Sequence, residues 1–495
     1  MKKRVLILGA GFMQGVAIRC AKERGWEVIA VDGNPNAVCR GLADRFEPID
    51  LKDRDGLAAF ARGLKGEAGL DAVFTAATDF SASVARGAEV CGLPGHTYEA
   101  ACNASDKLRM RACFERAGVP SPAFVGVDAS SAGSVLSRLT EKEISFPVVV
   151  KPADNMGARG CSKVGDISAL APAVADAIRW SRSGTAIVEE FMEGPEFSIE
   201  ALVFDGEIHL TGLADRHIFF PPYFIEMGHT IPTSFSGSQT ASLIETFKAG
   251  VRALGLTHGA AKGDIKLTPK GPMIGEIAGR LSGGYMSGWT FPYSSGIDLT
   301  GAALDLAAGL TPRSLEPVQD WVCAERAWIS IPGRVARVSG LEKARTVPYV
   351  RDVFPRAVAG DEVDFPRNNV EKCGNCLAAA PERSFAIRAA EDACRAVFIR
   401  LSAPDARTDA FLAGSSAAGL DGIFIPRGLL DRLDDARDWQ GRTLREALAR
   451  AREIEPGLDR FLGKNEAEPA LRFWKALLRG GIQGIVYVYD CVSAN

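Results

Sequence analysis

The 495-residue chain has no surplus of either charge, because 58 lysines and arginines stand against 61 aspartates and glutamates. The formal net charge of −3 gives no reason to expect electrostatic binding to nucleic acid or to an anionic membrane. No run of about 18 apolar residues occurs, so no membrane-spanning helix is expected. The 11 cysteines show no dense, regular spacing, which predicts a cytoplasmic protein with reduced thiols.

The composition excludes further classes of protein. Apolar residues make up 47% of the chain and charged residues 24%, values typical of soluble globular proteins, so extensive disorder is not expected. The length exceeds that of one ordinary core and predicts several domains. A lone Cys-x-x-Cys pair, Cys373 and Cys376, has no second pair nearby, so no structural zinc site is expected there.

Strand and helix signals alternate over residues 1–100, which predicts parallel βαβ units. Gly9, Gly11 and Gly15 follow the first strand, and Asp32 ends the next one. The third glycine stands one position late for a dinucleotide-binding fingerprint. We therefore interpret this segment as a tight turn whose helix N-terminus can receive an anionic substrate group. A Rossmann-type oxidoreductase remains an alternative that only these residues support.

A second glycine-bearing loop has features of a phosphate site. Lys151 ends an apolar strand, and Gly157 and Gly160 follow in the loop of residues 154–160. Glycines allow backbone N–H groups to approach phosphate oxygens, and Lys107 can add positive charge. Each cation considered alone is more often a solvated surface residue.

The next strand ends in an acidic segment that offers groups to a nucleoside. The residues Glu189, Glu190, Phe191 and Met192 can present backbone groups to a purine edge and apolar groups to its faces, and Glu196 can accept from ribose hydroxyls. The alternative is an acidic surface turn.

Two further acids lie on a predicted hairpin with its turn at residues 270–271. If the strands pair, Asp264 and Glu276 can point to one face, where two carboxylates suit Mg²⁺. Arg280 follows and can stabilise charge on a transferring phosphoryl group. An ordinary strand acid paired with an arginine is the alternative.

In this order, the elements resemble the ATP-grasp superfamily of carboxylate–amine or carboxylate–thiol ligases, in its biotin-carboxylase-like branch and similar to L-amino acid ligases. The resemblance covers roughly residues 1–400. It implies an α/β and α+β fold with these parts: a Rossmann-like pre-ATP-grasp domain (1–103), an ATP-grasp domain (104–310, with lobe A 104–184 and lobe B 185–310), a small C-terminal lobe (311–400) and an α/β extension of unknown role (401–495).

The resemblance also implies roles for the site residues. ATP would lie between the lobes, with Mg²⁺ or Mn²⁺ on Asp264 and Glu276. The other roles that it implies are phosphate binding by Lys107, Lys151, Gly157 and Gly160, adenine binding by Glu189, Glu190, Phe191 and Met192, ribose binding by Glu196, and catalysis by Arg280 and Lys151. Many relatives have Asn where this chain has Ala278, which removes one oxygen ligand.

The expected reaction is the ATP-dependent activation of a carboxylate as an acyl phosphate, with ADP released. An amine of an amino acid or small metabolite then attacks, and a C–N bond forms. Because positioning and electrostatics carry such chemistry, no nucleophilic side chain is needed. The alternatives are a bicarbonate-using carboxylase type and a nucleotide-binding regulatory protein without ligase activity. Relatives are often dimers, so a homodimer is a prediction; no nucleic acid or membrane partner is expected.

Two regions give less specific predictions. His217 and His229 lie in a Phe- and Pro-rich stretch and are either substrate-side groups or ordinary loop residues. In the C-terminal extension, residues 429–437 and 443–453 are predicted to be helical and residues 485–489 to form a strand.

Overall fold

The computed structural model describes residues 2–414, 442–460 and 468–493. It divides into two compact units, of which the first comprises Met1–Glu325 with Ala379–Ile387 and the second the remaining described residues. Helices and strands occur in both, which confirms the predicted mixed α/β fold class. None of the described helices has the length and apolarity needed to cross a bilayer.

The first unit begins with a four-stranded sheet in the order β3-β2-β1-β4. Its strands pair in parallel, as the alternating pattern predicts. The first strand is buried along almost its whole length, which is typical of a parallel sheet covered by helices. The elements are β1 (Arg4–Leu8), α1 (Gly15–Glu23), β2 (Glu27–Val31), β3 (Arg45–Glu47), α2 (Arg54–Ala68), β4 (Ala72–Phe74), α3 (Ser81–Val90), α4 (Tyr98–Ser105) and α5 (Lys107–Ala117).

A small antiparallel sheet follows, in the order β5-β8-β6-β7. Valines at alternating positions of its strands pack with two helices in a separate apolar cluster. The elements are β5 (Phe124–Asp128), α6 (Val135–Glu141), β6 (Val148–Pro152), β7 (Ser162–Val164), α7 (Leu170–Trp180) and β8 (Thr185–Glu190).

The largest part of the first unit contains antiparallel strands in the order β13-β12-β9-β10-β11. One face packs on helices through a core that includes Phe114, Phe197 and Phe247. The elements are β9 (Glu196–Phe204), β10 (Glu207–Phe219), β11 (Ile225–Ile231), α8 (Gly237–Leu254), β12 (Gly259–Thr268), β13 (Gly271–Ala278), α9 (Phe291–Ser295), α10 (Leu299–Ala307) and β14 (Val322–Trp328). The predicted hairpin is confirmed as β12 and β13.

The second unit contains a three-stranded sheet in the order β17-β15-β19, and β16 pairs with β18. The elements that lie wholly or mostly in this unit are β15 (Gly333–Ser339), α11 (Leu341–Arg345), β16 (Val350–Pro355), β17 (Glu362–Val363), β18 (Gly374–Ala380), α12 (Arg383–Ala396), β19 (Phe398–Leu401), α13 (Ala406–Ala413), α14 (Leu444–Ile454) and α15 (Glu468–Ser493).

The predictions for the C-terminal extension have mixed outcomes. The helix predicted at residues 443–453 is confirmed by α14, which starts at a capping box of Thr443 and Glu446. The strand predicted at residues 485–489 is wrong, because they belong to α15. Their β-branched and aromatic side chains favour a strand locally, but the helix buries Ile485, Val486 and Tyr487 almost completely. The helix predicted at residues 429–437 lies outside the described residues.

Candidate active site

Lys107 lies at the first position of α5, which begins there because the Asp106 carboxylate accepts from the Arg109 N–H at 3.0 Å. The lysine is buried, and its Nζ donates to the Asn155 carbonyl at 2.8 Å. Its Nζ also lies 3.8 Å from Glu276 Oε2. Burial alone would lower the pKa of Lys107, but nearby acidic groups, Glu276 foremost, outweigh it and raise that pKa.

Lys151 has a carboxylate partner instead. Its Nζ lies 2.5 Å from Glu189 Oε2, and Arg111 Nε donates to Glu189 Oε1 at 2.8 Å. Burial would raise the pKa of Glu189, but the two cations outweigh it and hold the pKa below its usual value. The Glu189 side chain therefore anchors Lys151 and is already paired at both oxygens. Sequence reasoning missed Arg111, which has no motif and is completely buried.

The glycine loop between β6 and β7 adopts a left-handed backbone, which glycine permits. Gly157, Ala158 and Gly160 have φ of 70°, 60° and 65°. A Cβ on Gly160 would lie 2.8 Å from the Trp180 ring, so a larger residue does not fit without movement. Asp154 holds the start of the loop by accepting from the Ser181 hydroxyl at 2.7 Å. Backbone N–H groups in such a loop suit phosphate oxygens.

The segment after β8 is lined by two lysines. The ammonium of Lys163 lies 3.8 Å from the centre of the Phe191 ring, and that of Lys266 lies 5.3 Å from it. Lys266 also donates to the Met192 carbonyl at 3.2 Å. Neither lysine was singled out from the sequence, although both stand in strands beside predicted site residues.

The two remaining acids of this segment have different partners. Glu190 pairs with the exposed Lys270 at the turn of the hairpin. Glu196 pairs with Arg216 and lies 3.4 Å from Lys266, because Arg216 and Lys266 are its register partners on the two neighbouring strands. Glu196 is thus held between two neighbouring strands, whereas the partner of Glu190 is an exposed lysine of the hairpin turn.

The predicted carboxylate pair does come together, because Asp264 and Glu276 are register partners on β12 and β13. Asp264 accepts from the Ser198 hydroxyl at 2.9 Å and lies 2.5 Å from Lys262 Nζ and 3.4 Å from Arg216 Nη1. Burial would raise the pKa of Asp264, but Arg216 and Lys262 lower it to about 2. The acid is therefore ionised at neutral pH.

These two acids fit a hard divalent cation. Burial would raise the pKa of Glu276, but Lys107 outweighs it and holds the pKa below its usual value, so both carboxylates supply charged oxygens. Within the described ranges, no group of three or more His, Cys, Asp or Glu residues is arranged to hold a metal. Mg²⁺ commonly takes one or two carboxylates and completes its shell with phosphate oxygens and water, which matches this donor set.

Arg280 is held at the start of the segment that follows β13. Its Nη1 donates to the Leu281 carbonyl at 3.0 Å, and Leu281 forms a β-bridge with Ala76 at the end of β4. Gln14, in the turn of residues 9–15, donates to the Ala76 carbonyl at 2.8 Å. The buried Glu200 accepts from the Ser282 N–H at 2.7 Å. The predicted anion-binding turn and Arg280 are therefore linked through Ala76 and Leu281.

The two histidines singled out from the sequence differ in their surroundings. His217 Nε2 lies 3.0 Å from the Thr230 hydroxyl. His229 is buried, with Nδ1 2.9 Å from Glu325 Oε2 and Nε2 3.3 Å from Ser198 Oγ. Since the Ser198 hydroxyl donates to Asp264, His229 is connected to the carboxylate pair through one hydroxyl group. Ser198 and Glu325 escaped notice in the sequence because they stand in strands without a motif.

Comparison with protein families confirms the resemblance. Residues 144–288 match the model of the ATP-grasp domain. Residues 327–402 match the model of the L-amino acid ligase C-terminal domain 2.

Three known proteins are similar to this chain over different shares of its length and of their own. An uncharacterized protein, y4rH, of Sinorhizobium fredii is 27% identical over 351 residues, which cover 70% of this chain and 71% of that protein. Carnosine synthase 1 of Gallus gallus is 29% identical over 337 residues, which cover 63% of this chain but only 36% of that enzyme. The crystal structure of an L-amino acid ligase from Bacillus licheniformis superposes with a TM-score of 0.69 at 20% identity, covering 81% of this chain and 99% of that one.

Proposed function

We propose that this chain, in which residues 144–288 match the model of the ATP-grasp domain, is an ATP-dependent ligase that joins a carboxylate to an amine. MgATP phosphorylates the carboxylate to an acyl phosphate, ADP is released, and the amine then displaces phosphate as the C–N bond forms. The observation that carries the proposal is the register pairing of Asp264 with Glu276, with Lys107 3.8 Å from the latter. Two ionised acids beside a buried ammonium suit a metal–triphosphate complex.

We assign the following roles to the chain's own residues. Lys107, Lys151 and the loop with Gly157 and Gly160 bind phosphate oxygens, and Arg280 binds the phosphoryl group in transfer. Asp264 and Glu276 would hold Mg²⁺ or Mn²⁺, which when bound neutralises charge on the phosphate oxygens.

The nucleoside side of the site consists of the segment after β8. Phe191 and Met192, with the backbone of Glu190, would contact adenine, and Glu196 would bind the ribose. The Glu189 side chain acts indirectly, because it orients Lys151 at 2.5 Å. We also keep the domain boundaries given above, at residues 103, 310 and 400, as part of the proposal.

We propose an amino acid or a similar small metabolite as the amine. The match of residues 327–402 to an L-amino acid ligase domain supports this choice. A homodimer in the cytoplasm is the corresponding proposal for assembly and location, and sedimentation of the full chain tests the former.

The test is release of ADP from MgATP with pairs drawn from amino acids and small carboxylic acids, in parallel with the Arg280→Ala variant. We expect turnover only with a particular acid–amine pair, and a loss on the order of 100-fold in Arg280→Ala because one stabilising cation is removed. Arg62→Ala, an exposed arginine of α2, is the matched control and should retain full activity. Turnover that requires bicarbonate in place of another acid, or saturable ATP binding without turnover, contradicts the proposal.

A further inference from the structure

A lysine contacts one of the two acids that are proposed to hold the metal. Lys262 Nζ lies 2.5 Å from Asp264 Oδ1, and only 11% of the lysine side chain is exposed. The same carboxylate lies 3.4 Å from Arg216 Nη1. Two fixed positive charges therefore already surround an acid that a divalent cation would need.

The register of β12 explains why this lysine faces the site. Side chains two positions apart on a strand point to the same face, so Lys262 and Asp264 share one face of the sheet. The register partner of Lys262 on β13 is Ala278, and its partner on β9 is the buried Glu200. The small side chain of Ala278 leaves room for the lysine, and the carboxylate of Asp264 compensates its buried charge.

A metal ion on Asp264 would share the carboxylate with the Lys262 ammonium, which lies 2.5 Å from Oδ1. Mg²⁺ binds carboxylate oxygens at about 2.0–2.1 Å, so an ion on Asp264 would lie within a few ångströms of an ammonium in its present position. In a partly buried site this repulsion is screened less than in water. The ammonium in its present position therefore opposes metal binding at Asp264.

We propose that Lys262 is a resident counter-ion of the metal site, which pairs with Asp264 in the ligand-free protein and competes with a divalent cation for that carboxylate. The metal then binds weakly to the protein alone and more tightly together with a nucleotide, because phosphate oxygens can take up the displaced ammonium. This inference rests on the proposed function for the metal site at Asp264 and Glu276 and for the nucleotide; the pairing of Lys262 with Asp264 stands on the contacts.

The experiment is a titration of the full chain with Mn²⁺ alone. Electron paramagnetic resonance measures the concentration of free Mn²⁺ at each step. We expect Lys262→Met to bind Mn²⁺ about tenfold more tightly than the wild-type protein. Adding Asp264→Asn to that variant should abolish the gain. Lys22→Met is the matched control, since it removes a surface ion pair of the same 2.5 Å separation, with Asp44, and should leave Mn²⁺ affinity unchanged.

Two further measurements keep the result interpretable. Lys262→Arg keeps the charge and should bind Mn²⁺ as weakly as the wild type, and thermal unfolding of each variant checks its fold; Lys262→Gln replaces Lys262→Met if the latter does not fold. Repeating the titration with a non-hydrolysable ATP analogue should raise Mn²⁺ affinity more in the wild type than in Lys262→Met.

Equal or weaker Mn²⁺ binding by the folded Lys262→Met variant without nucleotide would overturn the inference. An ATP analogue that has no effect on any of the proteins would instead contradict the proposed nucleotide site, and the comparison without nucleotide would still decide the role of Lys262.

Discussion

The corner of the site around Lys151 and the corner around Lys107 hold their ammonium groups through different partners. Lys151 lies 2.5 Å from the Glu189 carboxylate, which Arg111 also binds. Lys107 donates to the backbone carbonyl of Asn155, in the glycine loop, and its nearest acid is 3.8 Å away. Lys151 is therefore fixed by the sheet, whereas Lys107 is fixed to the loop. Two lysines with one expected role can thus report on different parts of the site.

The largest expected effect is the loss of the buried arginine behind Lys151. Arg111→Ala removes the bond to Glu189 and a second bond from Nη2 to the Gly275 carbonyl at 2.6 Å. Breaking a buried ion pair from one side costs about 3–5 kcal/mol, so the free energy of unfolding in denaturant should fall by that amount. Arg109→Ala, an exposed arginine of the same helix, should cost less than about 1 kcal/mol. Equal losses of unfolding free energy in the two variants would contradict the conclusion that a buried ion pair holds the corner around Lys151.

Replacing each lysine by methionine compares the two corners directly. Both Lys107→Met and Lys151→Met should lower kcat/KM for ATP on the order of 100-fold, because each removes a charge that binds phosphate. Only Lys107→Met frees the loop, since it removes the bond to Asn155. Trypsin should therefore cut after Arg159 faster in that variant, while Lys151→Met is cut at the wild-type rate. Identical cleavage rates in the two variants would contradict the claim that Lys107, and not Lys151, holds the loop.

The smallest effect concerns the shape of the loop itself. Gly160→Ala places a Cβ 2.8 Å from the Trp180 ring at φ of 65°, so we expect a loss of about 1–2 kcal/mol in stability and a higher KM for ATP. Gly165→Ala is the control, because nothing lies within 4 Å of its added Cβ. If Gly165→Ala changes the KM as much as Gly160→Ala does, the effect is not specific to the loop.

Local features of the fold followed from the sequence. The sequence predicts the hairpin of β12 and β13 from two strand-like segments around the turn at residues 270–271, and its register brings Asp264 and Glu276 together. The helix at residues 443–453 also followed, and it starts at the capping box of Thr443 and Glu446. In these segments the determining contacts lie within a few residues along the chain.

Contacts between distant segments could not be predicted from the sequence. Arg111 meets Glu189 across 78 positions, and His229 meets Glu325 across 96, with no motif at either end. The helix at residues 485–489 was missed because its local preference for a strand is overridden by burial of the helix on several sides. The pairing of Lys262 with Asp264 could have been predicted from the sequence, since the two residues stand two positions apart on a predicted strand.

The central claim is that the carboxylate is activated as an acyl phosphate, and ³¹P NMR of the products tests it most directly. The reaction would use the acid–amine pair found in the ADP assay, with both carboxylate oxygens of the acid labelled with ¹⁸O. The account predicts ADP and inorganic phosphate, with one ¹⁸O atom carried into the phosphate, because the phosphate leaves with the oxygen of the former carboxylate. AMP and pyrophosphate, or phosphate without the label, would contradict it.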